Sequence, residues 1–375
     1  MEVDQIARRF PLVARPRPAC RPLAERVQEI TDLARSAERD ANLQPAAVAQ
    51  NLAALIASDC GLPDLARTLC WRHAELYLHA GRPLSLQEAR YGLEPLVNLA
   101  RLHIRNGAGE AAYELLDHLN TAVRERGGTI IDDRTLSFQN LTATEEDHHK
   151  LCQWLWAVLL GDGTRALVAA GHWERALRHV EHHKGIGNRL LDGRQVQVVA
   201  RCLGGELTSA MSVLASSTLS ADWERAVAAS LSALCLTKAG IRRTDLPSDL
   251  AQNFLKLELG PELVLFGARL GLVVWDLCET DRTAARHAVC DRLLYLAEKF
   301  QDGYAARELL GHAGTQHRMS PGQREAFNHA VIAAGLQQHQ IPDELEYALQ
   351  SAAETCAAVT RQLVAKSPKR GRVRI

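Results

Sequence analysis

The residues of this sequence whose spacing is most typical of a metal site are histidines, and 15 of them occur in 375 residues. His179 and His183 lie four positions apart, which places two imidazoles on one face of a helix, as in helical zinc sites. The apolar residues Trp173, Ala176 and Val180 would form the buried stripe of the same helix. Because the histidines then fall on the opposite side, the sequence favours a solvated or structural role over a metal site.

Two Glu-x-x-His spacings precede this region, Glu145 with His148 and Glu146 with His149. The spacing occurs in di-iron carboxylate sites of helical bundles, where two helices each supply such a pair and two further glutamates complete the ligands. No second pair occurs in a clean helical segment, and Thr142 ahead of the glutamates is typical of a helix start with a capping box. A metal-dependent helical enzyme built on the two histidine regions stays an alternative, while no metal or cofactor is predicted.

Other reactive side chains give weaker signals. Asp132 and Asp133 form an acidic pair without a partner motif downstream. Cys152 and Cys235 lie in apolar helical context without a neighbouring base, so packed thiols are favoured over nucleophiles. The nine cysteines stand singly, without a CxxC pair, which favours reduced thiols in a cytoplasm. The sequence also has no glycine-rich phosphate-binding motif and no GxSxG nucleophile motif.

Charge and composition argue against several classes of protein. The 44 basic and 44 acidic side chains give zero net charge, which argues against a protein that coats nucleic acid or an anionic membrane. No apolar run approaches the roughly 18 residues of a membrane span. Arginine far outnumbers lysine, as is typical of a high-GC genome such as an actinobacterium's.

The elements that position these residues are predicted to be helices. Alanine and leucine are abundant and favour helix, whereas the best strand candidates, 129–131 and 196–199, are short and isolated. Ala112, Leu116 and Leu119 follow the spacing of one helical face. We therefore predict an all-α fold.

A local unit recurs along the chain. A small residue is followed five positions later by alanine at Gly61 and Ala66, Gly107 and Ala112, Gly171 and Ala176, and Ala221 and Ala226, with a weaker copy from Thr280 to Ala285. Two copies share Trp-Glu-Arg-Ala, which gives Trp173 and Trp223 equivalent positions at the turns. Glycine permits a tight turn, and alanine lets the second helix approach the first. The pattern predicts stacked antiparallel helical hairpins, each completing its neighbour's core.

The segment from Leu96 to Gly107, followed by Ala112, resembles a tetratricopeptide repeat. It has the leucine-then-small pair early in the first helix, the glycine near its end and the alanine early in the second helix. The turn at 171–176 is similar, and the resemblance extends over about 52–239. The spacings exceed the family's period of about 34 residues, and the closing proline is missing. The resemblance implies an α-solenoid, a right-handed superhelix of hairpins with a concave groove.

Breaks in the helical pattern divide the chain into predicted segments. Residues 127–147 lack helical periodicity, and 240–262 carry glycine and proline. We predict a poorly ordered Pro/Arg-rich lead-in at 1–22, a helical array at 23–126, a loop or insertion at 127–147, tetratricopeptide-like hairpins at 148–240, a linker at 241–262, a helical region at 263–366 and a basic tail at 367–375.

The resemblance implies that the first helix of each hairpin lines the groove. In the best-matching repeat its non-stripe residues are Glu94, Asn98, Arg101 and Arg105, which are the predicted ligand-binding residues. Asparagine can pair with a peptide backbone through both groups of its amide, and arginine can bind a carboxylate or phosphate bidentately. A solvated face with internal contacts is the alternative for these four residues.

The predicted function is non-catalytic binding of a peptide, protein or small ligand, in an adaptor or regulatory role. One alternative is an effector domain that acts with a separate DNA-binding protein, and another is the metal-dependent enzyme above. Neither a membrane nor nucleic acid is an expected partner, and the sequence leaves a homodimer open.

Overall fold

A computed structural model describes residues 1–241, 246–278 and 284–366 of the chain. This part is 72% helix, and its one sheet has two strands. The predicted all-α fold of packed helical hairpins is confirmed. Among the described residues, no helix has the length and apolar character that crossing a membrane requires.

The elements follow one another with short connections. The helices are α1 (Val3–Arg9), α2 (Leu23–Asp40), α3 (Leu43–Asp59), α4 (Pro63–Leu78), α5 (Leu86–Arg105), α6 (Gly109–Arg124), α7 (Glu145–Val158), α8 (Thr164–Ala169), α9 (Trp173–His182), α10 (Asp192–Leu203), α11 (Leu207–Ala215), α12 (Asp222–Lys238), α13 (Leu246–Leu255), α14 (Val264–Leu277), α15 (Ala284–Phe300), α16 (Gly303–Leu310), α17 (Ala313–Gln316), α18 (Pro321–Ala333) and α19 (Asp343–Ala365). Strands β1 (Gly128–Ile131) and β2 (Arg134–Ser137) pair between α6 and α7. A π-helical turn at Leu159–Gly163 and a 3-10 turn at Pro261–Leu263 complete the set.

The chain forms two compact units, each made of two stretches of sequence. Unit 1 consists of Met1–Pro22 and Thr164–Ala334, and unit 2 of Leu23–Gly163 and Gly335–Ile375. The divisions follow Pro22, Gly163 and Ala334, so none of the three lies within the breaks predicted at 127–147 and 241–262.

Unit 2 is a run of helices in which each packs on the next from α2 to α6, with α19 packed on α2 and α3. The core comes from apolar stripes such as Leu93 and Leu96 of α5 and Leu116 of α6, all 0% exposed. At the α4–α5 crossing, a Cβ on Gly92 would lie 2.8 Å from the Cβ of Tyr77, so glycine allows this approach.

Unit 1 repeats the pairing with shorter helices. α8 packs on α9, α10 packs on α9, α11 and α12, and α14 packs on α12, α13, α15 and α16. α14 is buried along most of its length. One compact core cluster joins Val264 and Ala268 of α14 with Leu296 of α15 and Ala305 of α16.

The repeated turn has a common backbone geometry. At Gly61, Gly107 and Gly171 the residue after the first helix is left-handed, with φ of 80°, 77° and 79°. The next backbone N–H donates 2.9 Å to the carbonyl five residues earlier in all three turns, which is a Schellman-type helix end. The alanines five positions after these glycines, Ala66, Ala112 and Ala176, are 0% exposed.

The structure also revises the repeat. Ala221 has an extended backbone with φ −123° and is itself the N-cap of α12, so Trp223 lies one position deeper in its helix than Trp173 does. Further copies of the turn occur at Ala41 and Ala46, at Gly205 and Ala210, and at Gln301 and Ala306; each first residue is left-handed and each alanine is buried. The weaker copy from Thr280 begins outside the described residues.

Two predicted segments contain more secondary structure than the sequence patterns indicated. The segment 127–147 holds the β1–β2 hairpin, so the candidate strand at 129–131 forms because it has a partner, whereas 196–199 lies within α10. α7 starts after Thr144, whose side chain accepts the Asp147 N–H at 3.0 Å, and not at Thr142. The predicted linker contains α13, where Phe254 is 0% exposed.

The N-terminal segment also differs from the predicted poorly ordered lead-in. Its prolines and arginines are interspersed with apolar residues, and Ile6, Phe10 and Leu12 are at most 3% exposed. Burial of these side chains in unit 1 provides the stabilisation that composition alone does not indicate. The predicted basic tail, 367–375, lies outside the described residues.

Candidate functional site

The four predicted ligand-binding residues lie on α5, and three of them contact other side chains of unit 2. Asn98 donates from Nδ2 to Oδ1 of Asn51 on α3 at 3.0 Å, and its own Oδ1 accepts from Arg101 at 2.9 Å. Arg101 also donates from Nε to Asp162 in the π-helical turn at 2.9 Å. These hydrogen bonds link α3, α5 and the π-helical turn through a row of polar side chains.

Arg105 lies at the end of the same face. It donates to Ser58 Oγ and Asp59 Oδ1, both at 2.9 Å. The carboxylates that receive the two arginines are buried, with exposed side-chain fractions of 2% for Asp59 and 8% for Asp162. Within the described part of the chain, Glu94 has no side-chain hydrogen bond. Arg101 and Arg105 therefore neutralise internal charge, and their binding role stays a prediction.

The two histidine regions lie on α7 and at the C-terminal end of α9. His179 is 5% exposed, which corrects its predicted place on a solvated face, and its ring centroid is 4.6 Å from that of His183. His148 lies 3.5 Å from Cys152 Sγ, and His149 lies 2.9 Å from Gln153 Nε2, both one turn further along α7. No group of three or more His, Cys, Asp or Glu that could hold a metal ion occurs among the described residues.

The acidic pair in the β-hairpin has a structural contact. Trp71 of α4 donates its indole N–H to Asp132 Oδ2 at 2.8 Å, and Arg67 forms an ion pair with the same carboxylate. The Arg134 guanidinium lies 4.5 Å from the Trp71 ring centre and pairs with Glu75. The contacts of Asp132 thus hold the β1–β2 hairpin against α4.

A groove opens between α4 and α19, with α3 at its base, and has a volume of about 760 Å³. Its lining residues come from these three helices: Gln50, Leu69, Arg72, Glu75, Leu76, His79, Ala353, Glu354, Ala357 and Arg361. The groove exists because α4 and α19 both pack on α3 while the short side chains of Ala353 and Ala357 leave space between them.

Three of the four charged side chains that line the groove have no ion pair among the described residues. Arg72 on α4 and Arg361 on α19 are exposed, and neither has an ion pair within the described ranges. Glu354 is also exposed and has no ion pair in this part of the chain, whereas Glu75 is paired with Arg134. Leu69 is 7% exposed and lies at the base of the groove beside the polar Gln50 of α3. The groove therefore combines a mixed base of Gln50, Leu69 and small alanines with an unpaired arginine on each rim.

Sequence reasoning did not find this groove because its two walls lie about 280 residues apart in the chain. Arg72 and Arg361 each look like an ordinary surface arginine on an amphipathic helix. The spacing of Ala353 and Ala357, one helical turn apart, was the one local signal of a close-approach surface.

No family model matches the chain, and no curated protein or solved structure matches it.

Proposed function

We propose that this chain is a non-catalytic helical-repeat protein that binds a segment of a partner protein in the groove between α4 and α19. The observation that supports it is the pair of unpaired arginines, Arg72 and Arg361, on opposite rims of this groove. With Glu75 paired to Arg134, the two arginines outnumber the one unpaired carboxylate of the groove, Glu354. This balance favours a ligand with carboxylates, because arginine binds a carboxylate through two parallel hydrogen bonds.

The base of the groove favours a protein segment as the ligand. Ala353 and Ala357 allow a backbone or a narrow helix face to approach α19 closely. Amphipathic helices bind such grooves with apolar residues at i, i+3 and i+4, and acidic residues beside that stripe would reach the arginines. A small acidic ligand would also fit a volume of this size, which lies within the usual range of about 300–1,000 Å³.

The residues Glu94, Asn98, Arg101 and Arg105 of α5 form the competing binding surface. Contacts to Asn51, Asp162 and Asp59 make Asn98, Arg101 and Arg105 less available than the groove arginines. The proposal therefore ranks the groove above the α5 face. A reducing compartment such as the cytoplasm is proposed as its location, since all nine cysteines are free thiols.

Selection of a displayed random-peptide library on the full chain tests this proposal. We expect the selected peptides to be acidic, and the double variant Arg72→Glu, Arg361→Glu to bind them at least about tenfold more weakly, since a charge-assisted bond contributes about 1.5–3 kcal/mol. Arg35→Glu is the matched control, because Arg35 is 70% exposed on α2 of the same unit. Equal loss in the control, or undiminished binding by the double variant, would reject the groove.

A further inference from the structure

The segment after α1 crosses unit 1 in an extended conformation. From Phe10 to Pro22 it has neither helix nor strand. Phe10, Leu12 and Cys20 are buried to 2%, 3% and 2% exposure, while residues 15–18 are exposed. A segment whose side chains are buried at both ends and exposed in the middle resembles a peptide bound to a protein surface.

One glutamine holds the backbone of this segment near its start. Gln195 on α10 is 0% exposed, and its Oε1 accepts the Leu12 N–H at 2.7 Å. Its Nε2 donates to the Leu12 carbonyl at 2.6 Å and to the Leu190 carbonyl at 3.0 Å. The amide thus satisfies both backbone groups of one residue in the segment, independently of that residue's side chain.

The far end is held in the same way. The Arg17 N–H donates to the Glu262 carbonyl at 3.0 Å. The Cys20 N–H donates to Asp302 Oδ2 at 2.7 Å, and the Cys20 carbonyl accepts the Gly303 N–H at 3.0 Å. A Cβ on Gly303 would lie 3.3 Å from the Cys20 carbonyl oxygen, so a glycine suits this close contact.

Charge is complementary along the segment. Arg9 pairs with Glu308 at 2.9 Å, and Arg15 pairs with Asp192. The surface that receives the segment therefore meets two of its arginines with carboxylates, of which Glu308 also pairs with Arg269, and the segment is basic and rich in proline. We call this surface the N-terminal groove, defined by Asp192, Gln195, Glu262, Asp302 and Gly303.

We propose that the N-terminal groove is a peptide-binding site that the chain's own segment 9–20 occupies in cis. Its ligand in trans is an extended, basic, proline-containing segment of a partner protein, with two apolar residues two positions apart in the places of Phe10 and Leu12. The segment is then autoinhibitory, because a partner gains the groove only when the segment leaves. This site is separate from the groove of unit 2, and the proposal does not depend on that groove.

The test is an exchange experiment on the full chain. A recognition site for a specific protease is inserted between Arg21 and Pro22, both exposed, and the folded protein is cut. We expect a fluorescent peptide of residues 1–22 to exchange into the cut protein without denaturant, as seen by fluorescence anisotropy. The uncut protein, whose groove is occupied, should bind this peptide at least about tenfold more weakly.

Variants of the peptide leave the protein unchanged and so separate recognition from folding. Leu12→Asp in the peptide should weaken binding at least about tenfold, while Pro18→Ser at an exposed position should change it less than about threefold. Higher salt should weaken binding, because the Arg15 pair is partly exposed. The proposal is overturned by exchange only under unfolding conditions, by unfolding of the protein on cutting, by equal binding of the Leu12→Asp peptide, or by equal binding to the uncut protein.

Discussion

Single side chains on the α5 face show how a polar residue can be committed to the fold. Asp59 is 3% exposed, and its carboxylate accepts from Arg26 at 2.6 Å and from Arg105 at 2.9 Å, so one carboxylate joins α2, α3 and α5. A buried carboxylate has lost its water, and hydrogen-bonded cations replace it. The Asp59 carbonyl also accepts the Gln337 N–H at 2.8 Å. The main role of Arg105 is therefore to stabilise unit 2 by neutralising the buried Asp59 carboxylate.

His73 on α4 is a buried base with a consequence for pH. It is 1% exposed, and its Nε2 has no hydrogen-bond partner in the described structure. Burial lowers its pKa to about 3, because the charged imidazolium would lose its hydration. The unfolded chain then binds a proton below about pH 6.5 that the folded chain does not bind.

We predict that His73 makes the protein less stable as the pH falls. The stabilisation is complete above about pH 6.5 and is lost as the pH falls toward 3, with a change of about 2 kcal/mol between pH 8 and pH 5. We expect the free energy of unfolding of His73→Leu, measured with urea, to fall between pH 8 and pH 5 by about 2 kcal/mol less than that of the parent chain. An identical pH dependence in the two proteins would contradict a neutral, buried His73.

At the scale of elements, consecutive helices meet at the alanine early in the second helix, both after the left-handed turn before Ala176 and after the extended turn before Ala226. We predict that Ala176→Leu and Ala226→Leu each destabilise the fold by about 1–3 kcal/mol, because Ala176 is 0% and Ala226 2% exposed and added methylenes overpack a filled core. Ala169→Leu on the exposed side of α8 is the control and should stay within about 0.5 kcal/mol of the parent. Thermal unfolding measures all three, and unchanged stability in both buried variants would contradict this packing.

The same turns show what the sequence could reveal about the elements. Turns at Gly61, Gly107 and Gly171 were predictable because glycine marks a left-handed residue. The turns at Ala41 and Gln301 were not, since nothing in an alanine or glutamine indicates φ above zero. The β1–β2 hairpin was missed for another reason. Its strands are short and gain stability from contacts with α4, such as Trp71 with Asp132, which local patterns do not contain.

At the scale of the whole molecule, sequence reasoning reached the fold class but not the binding surfaces. The amphipathic stripes and the turn unit are local, so they indicate helices and hairpins. The groove of unit 2 depends on α19 returning to pack on α2 and α3, and the N-terminal groove depends on Leu12 meeting Gln195. Both are contacts between distant parts of the sequence, and in each case the residues involved have ordinary local context.

The most direct test of the proposed function is hydrogen exchange of the full chain with and without a library-selected acidic peptide. We expect slower exchange of backbone amides in α4 and α19, with α5 and unit 1 unchanged, because the ligand lies in the groove between those two helices. Arg72→Glu, Arg361→Glu should abolish the effect at the same peptide concentration. Protection centred on α5, or on unit 1, would contradict the assignment of the groove as the binding site.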